Sequence, residues 1–151
     1  PNPRVVLPRD IVSDVIEDIM PLLEKDIKKN KVELVTNIEP NLEFYADTKL
    51  IEQVLINLIQ NAIHALEDQE DGRIEVRGFH NKRGRVTIQV SDNGQGILPE
   101  VLDKIFIPFF TTKPKGSGIG LSLSKQIMRL HGGAIMARST PEEGTSFTLT
   151  F

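Results

Sequence analysis

Apolar residues recur at helical spacing in three long stretches of this chain and alternate with polar ones in most of the others. Ile11, Val12, Val15, Ile16, Ile19, Leu23 and Ile27 share one side of a helical period, which predicts a helix capped by Asp10 and ended by Asn30-Lys31. Pro21 falls inside that pattern and predicts a kink or break. A second helix is predicted from Thr48 to about Gln69, capped by Asp47. Its stripe of Leu50, Ile51, Val54, Leu55, Leu58, Ala62, Ala65 and Leu66 is broad enough to pack on a sheet. Ile119 to His131 predicts a third helix, with Gly118 near its start and Gly132-Gly133 at its end. Val5-Val6-Leu7 predicts a short edge strand, and residues 32–38 and 42–46 two strands around a Glu39-Pro40-Asn41 turn. Residues 73–77 and 85–91 alternate as a hairpin with one wet face. Residues 134–139 and 145–151 close the chain as another, with Phe147, Leu149 and Phe151 on one face, and a short helix is expected at 99–102. Helices and strands then make one layer each, an α+β two-layer sandwich on a mostly antiparallel sheet.

Bulk properties narrow the class. A chain of 151 residues is the size of one compact domain, and 39% hydrophobic with 26% charged residues is ordinary for a globular protein. A net charge of −3 argues against a nucleic-acid partner, because phosphate backbones demand clustered Lys and Arg. The absence of cysteine excludes disulfide scaffolds, Cys-ligated zinc and thiol catalysis, and fits a cytoplasmic setting. No apolar run approaches the roughly 20 residues of a membrane span. The opening Pro1-Asn2-Pro3, without Met, leads us to expect a fragment of a longer protein, with membrane segments upstream left open.

Two polar features change the picture. Gln53, Asn57, Asn61 and His64 recur every three or four residues, so they share one side of the second helix, beside its apolar stripe. The other feature is Ser91 to Leu121, which opens Asp92-Asn93-Gly94-Gln95-Gly96 and closes Gly116-Ser117-Gly118-Ile119-Gly120-Leu121. Between them lie Phe106 to Phe110 and then Thr111-Thr112-Lys113. An acid beside closely approachable backbone suits a base amine, and bare N–H groups opening a helix suit phosphate. These glycines are neither a Rossmann fingerprint, which follows a strand with different spacing, nor a Walker A loop, which needs Gly-Lys-Ser or Gly-Lys-Thr. No His-Arg-Asp or Asp-Phe-Gly accompanies them, which excludes a protein-kinase glycine loop.

Taken together, these elements resemble the catalytic and ATP-binding domain of sensor histidine kinases, in the GHKL superfamily shared with gyrase, Hsp90 and MutL. Gln53 through Ala62 resembles the N box, Asp92 through Gly96 the first glycine box, Phe106 through Phe110 the F box, and Gly116 through Leu121 the second glycine box. Phe-Phe-Thr-Thr-Lys and Asn-Ala-x-x-Ala are similar to the nitrogen-regulatory branch. The resemblance covers nearly the whole chain. It implies a Bergerat fold, with a mixed sheet of about five strands covered on one face by three helices. It implies one domain over residues 1–151 with an ATP lid at about 97–117, ATP or ADP as ligand, and Mg²⁺.

The resemblance also assigns roles. Asp92 accepts from the adenine amine, with Thr145 a water-mediated helper, and Gly94, Gly96 and Ile97 pass beside the base. Gly94 and Gly96 equally serve a turn by supplying positive φ. Asn61 is the Mg²⁺ ligand through its carbonyl oxygen and Asn57 supports it. Gly116, Ser117, Gly118, Ile119, Gly120 and Leu121 hold the phosphate tail. Lys113 and Lys115 meet the terminal phosphates, or are simply a charged loop tip. His64 stands where relatives often carry Lys or Arg, so a phosphate contact and an ordinary surface histidine both remain open. Phe106, Phe109 and Phe110 anchor the lid against the domain or a partner helix, and His80 and His131 are structural or solvent-facing.

Asn57 carries the mechanistic expectation. Hydrolysing members of the superfamily, and relatives that phosphorylate serine, place Glu there as general base. An amide takes no proton at neutral pH, so the implied substrate needs no base, as a neutral imidazole does not. The implied enzyme is a protein-histidine kinase whose Asn57, Asn61 and Lys113 serve phosphoryl transfer. Its phosphoacceptor would lie on a dimerisation hairpin outside this chain, with a response-regulator receiver domain downstream and the isolated domain monomeric. A hydrolase and a nucleotide sensor are the other readings. The lid is expected to be mobile without nucleotide and ordered by nucleotide with Mg²⁺.

Overall fold

The computed structural model describes residues 9–111 and 119–151. β1 (Arg9–Ile11) leads directly into α1 (Val12–Lys29). The predicted strand at Val5-Val6-Leu7 lies outside the described residues. Asp10 is not the helix cap. Its backbone is held in a ladder opposite Phe44, and the cap position falls to Ile11, which makes no side-chain cap hydrogen bond. Val12, Val15, Ile16, Ile19 and Leu23 are buried as the spacing predicts. The helix continues through Pro21 without the break that the sequence allowed. Pro21 and Glu17, whose carbonyl loses its partner, are both on the exposed face, where the freed oxygen is open to solvent.

β2 (Glu33–Ile38) and β3 (Glu43–Tyr45) flank the Glu39-Pro40-Asn41 turn but belong to different sheets. β3 pairs antiparallel with β1 in a two-stranded sheet beside the main one. α2 (Thr48–Ala65) starts on its Asp47 cap, which accepts from the Leu50 N–H at 3.2 Å, and ends four residues before the predicted Gln69. Ile59 and Ile63 are buried along with most of the predicted stripe, Leu50 and Ala65 being half-buried, because α2 packs on both α1 and the sheet. Each such fully buried side chain stabilises the fold by about 1.5–3 kcal/mol.

β4 (Arg73–His80), β5 (Val86–Asp92), α3 (Pro99–Leu102), α4 (Gly120–Leu130), β6 (Ala134–Thr140) and β7 (Gly144–Thr150) complete the chain. The main sheet has five strands in the order β2-β4-β5-β7-β6, parallel only between β2 and β4. α1, α2 and α4 cover one face, contacting β2, β4 with β5, and β6 respectively. Phe147 and Leu149 are buried on that face, while Gln89–Thr148 and Ser91–Ser146 side-chain hydrogen bonds lie away from it. This is the mixed, mostly antiparallel α+β sandwich that the pattern predicts, with the small β1–β3 sheet added. Among the described residues no helix is long and apolar enough to cross a membrane.

Candidate functional site

α2, the end of β5 and the start of α4 converge on one side of the sandwich. Asn57 is half-buried, and its Nδ2 donates to the Gly120 carbonyl at 3.4 Å. The same carbonyl receives the buried Ser124 hydroxyl at 2.8 Å. A methyl group on Gly120 would sit 3.6 Å from the Asn57 Cγ, an ordinary van der Waals contact, so the open side of Gly120 faces Asn57. Asn61, one turn on, is half-buried, and no hydrogen bond ties its carboxamide to another described residue. Its carbonyl oxygen is therefore available to a hard cation. Among the described residues no cluster of three acidic, His or Cys side chains forms a cage.

Asp92 closes β5, opposite Thr145 of β7. Its Oδ1 accepts from the Gly94 N–H at 2.9 Å. Gly94 is buried, and a Cβ there would come within 2.9 Å of the Ala65 carbonyl at the end of α2. Gly96 has φ +77°, and a Cβ would run into the Thr140 carbonyl. Thr145 is 7% exposed, and its Oγ1 lies 3.0 Å from Ser139 Oγ. Ser139 donates to the Gly144 carbonyl at 3.0 Å and accepts the Ile97 N–H at 2.6 Å, so Thr145 is the donor in their pair. Asp92, Ser139, Thr140, Gly144 and Thr145 line a cleft of about 220 Å³. Sequence reasoning missed Ser139, which the strict alternation of β6 could only mark as one more polar position.

Other predicted residues are distributed differently. His64 is exposed and lines a separate depression of about 330 Å³, with Asp26, Lys29, Gln60 and Glu67 between the ends of α1 and α2. Gln53 is exposed, and Ile97 and Leu121 are half-buried. Ile119 is 44% exposed just before α4. Lys113, Lys115, Gly116, Ser117 and Gly118 lie outside the described residues. The phenylalanines divide. Phe106 packs edge-on against Phe147 at 6.4 Å with Lys125 over its ring, whereas Phe109 is 75% exposed at φ +69°.

His131 has a structural role. Its Nε2 accepts from the Asp47 N–H at 3.0 Å, which places the ring proton on Nδ1, donating to the Ile127 carbonyl at 2.8 Å. α4 is thus clasped to α2 at both ends. His80 lies 3.1 Å from Glu39, half-exposed.

Residues 46–151 match the family described as histidine kinase-, DNA gyrase B- and HSP90-like ATPases. The sensor histidine kinase ZraS of Salmonella typhimurium is 38% identical over 139 residues, which are 91% of this chain and 30% of that protein. The chain therefore spans under a third of the length of such curated relatives. The nucleotide-free catalytic domain of histidine kinase ThkA superposes with TM-score 0.84 at 32% identity, over 97% of this chain and 95% of that one. ThkA in complex with the response regulator TrrA gives 0.79 at 32% identity, over 96% of this chain and 41% of that one.

Proposed function

We propose a function from one premise: the chain belongs to the histidine kinase-, DNA gyrase B- and HSP90-like ATPase family, as an ATP-binding catalytic domain of the sensor histidine kinase kind. On this reading the domain transfers the γ-phosphoryl group of ATP to a histidine on a dimerisation hairpin of the same kinase. A response-regulator receiver domain takes the group onward, as the ThkA–TrrA complex suggests by analogy. ATP places the domain in the cytoplasm.

Asp92 accepts from the adenine amine, with Thr145 and Ser139 bordering the base, and Gly94 and Gly96 let the Ala65 and Thr140 carbonyls pack close beside it. Asn61 offers its oxygen to Mg²⁺, which supplies charge neutralisation at the phosphates when bound. Gly116 to Leu121 hold the phosphate tail, and Lys113 stabilises the group in transfer. An imidazole nitrogen lone pair attacks the γ-phosphorus, the bond to the β,γ-bridging oxygen breaks, and ADP leaves with that electron pair.

One observation carries this choice over hydrolysis. Asn57 stands where a general base would be, and its amide donates to the Gly120 carbonyl, so it holds α4 rather than activating water. The test supplies a matching histidine hairpin in trans with γ-labelled ATP. Acid-labile, base-stable label on the hairpin is expected, with little free phosphate from the chain alone. Rapid phosphate release by the isolated chain would instead indicate a hydrolase, and nucleotide binding without either product a sensor.

A further inference from the structure

We propose that Asn93 is a positioning residue for base recognition, aiming Asp92 by substituting its side chain for its own backbone carbonyl in the sheet. The inference rests on Asp92 as acceptor for the base amine and adds the device that holds it. The β4–β5 register ends with Ile74 opposite Asp92, so the next pair would be Arg73 opposite Asn93. In a hydrogen-bonded antiparallel pair, two residues exchange both N–H···O bonds. Here the Asn93 N–H donates to the Arg73 carbonyl at 3.3 Å, but the Arg73 N–H is received by Asn93 Oδ1 at 2.7 Å.

The main-chain carbonyl of Asn93 is thereby released from the ladder, and Gln69 Nε2 donates to it at 2.9 Å. Asn93 Nδ2 donates in turn to the Asp71 carbonyl at 2.9 Å, and Gln69 Nε2 also reaches Asp71 Oδ1 at 3.1 Å. The chain leaves the sheet one residue after Asp92 with no ladder donor unpaired. Gly94 comes next, its N–H already on the Asp92 carboxylate. The direction of that departure sets where the carboxylate points, and Asn93 fixes it by tying the end of β5 to Gln69 and Asp71 in the loop between α2 and β4.

Only a carboxamide does both jobs. Asp would keep an acceptor for the Arg73 N–H, lose the donor to Asp71 and add negative charge beside Asp71 and Asp92. Ala would lose both bonds. Asn93 acts through Asp92, so its signature is selectivity for the amine rather than affinity alone.

The test titrates the 151-residue chain, as wild type, Asn93→Ala and Asn93→Asp, with ADP and with purine riboside diphosphate, which lacks the amine. Wild type is expected to prefer ADP by about tenfold or more, the scale of a hydrogen bond to a charged acceptor. Both variants are expected to bring that ratio close to one while binding of purine riboside diphosphate changes little. Affinities that fall together with the ratio kept would overturn the inference and leave Asp92 its role. A wild type with no preference would overturn the Asp92 reading and this inference with it. If Asn93→Ala fails to fold, an unchanged ratio in Asn93→Asp overturns the inference equally.

Discussion

Asn57 and Asn61 are the same side chain one helical turn apart, yet their surroundings give them different work. Asn57 spends its amide on the Gly120 carbonyl, whereas the Asn61 carboxamide has no hydrogen-bond partner among the described residues. Truncating Asn61 should therefore leave the fold intact and act on the metal-dependent part of binding. For Asn61→Ala, calorimetry should find Mg²⁺-ATP affinity lowered by about tenfold or more, the worth of one contact to a charged group, with ATP in EDTA bound as by wild type. Equal losses with and without Mg²⁺ would remove Asn61 from the metal. Residue types on a helix face marked Gln53, Asn57, Asn61 and His64 together, and the resemblance to the N box picked this pair from them. Their division of labour was not legible, because it depends on which carboxamide α4 meets, and α4 is far away in sequence.

Helix α4 owes its place to contacts at both ends, and the C-terminal one is measurable. His131→Leu keeps much of the side-chain volume but strands the Asp47 N–H, while the Ile127 carbonyl keeps only the backbone N–H of residue 131 at 3.2 Å. Stability should fall by about 1–3 kcal/mol, read as a lower urea midpoint with an unchanged slope. In α1 the sign reverses. Pro21 sits in a helix that continues through it, so Pro21→Ala restores a hydrogen bond to Glu17 and removes a ring clash. A gain of about 1–3 kcal/mol is expected, below the full helix-interior penalty because the site is solvated. Element types were readable from periodicity, since burial imposes it. Pairing was not: β2 and β3 look like neighbours across a short turn, but β2 finds β4 in parallel and β3 turns to β1. Such choices are made by non-local partners that no window of sequence contains.

At the scale of the whole molecule, the residues of the proposed site come from α2, the end of β5, β6 and β7, and this explains what the sequence showed and hid. Asn57, Asn61, Asp92, Gly94 and Gly96 were visible because few other patterns need spaced amides, then an acid and two glycines, in that order. Asn93 and Ser139 were hidden because their roles are hydrogen bonds to distant backbone, and a polar residue near a strand end reads as a turn. A ligand touching α2, the β5 end and β7 together should brace the domain as a unit. At a nucleotide concentration of a hundred times Kd, mass action stabilises the native state by about 2.7 kcal/mol. For a domain near 150 residues, that corresponds to a rise in Tm of roughly 5–10 °C. Asp92→Asn replaces one carboxylate oxygen with a donor, leaving one acceptor to serve both the Gly94 N–H and the base amine. Measured from its own ligand-free Tm, the variant should lose most of the ADP-induced rise at the same concentration. A full rise in Asp92→Asn would move the base away from this end of β5.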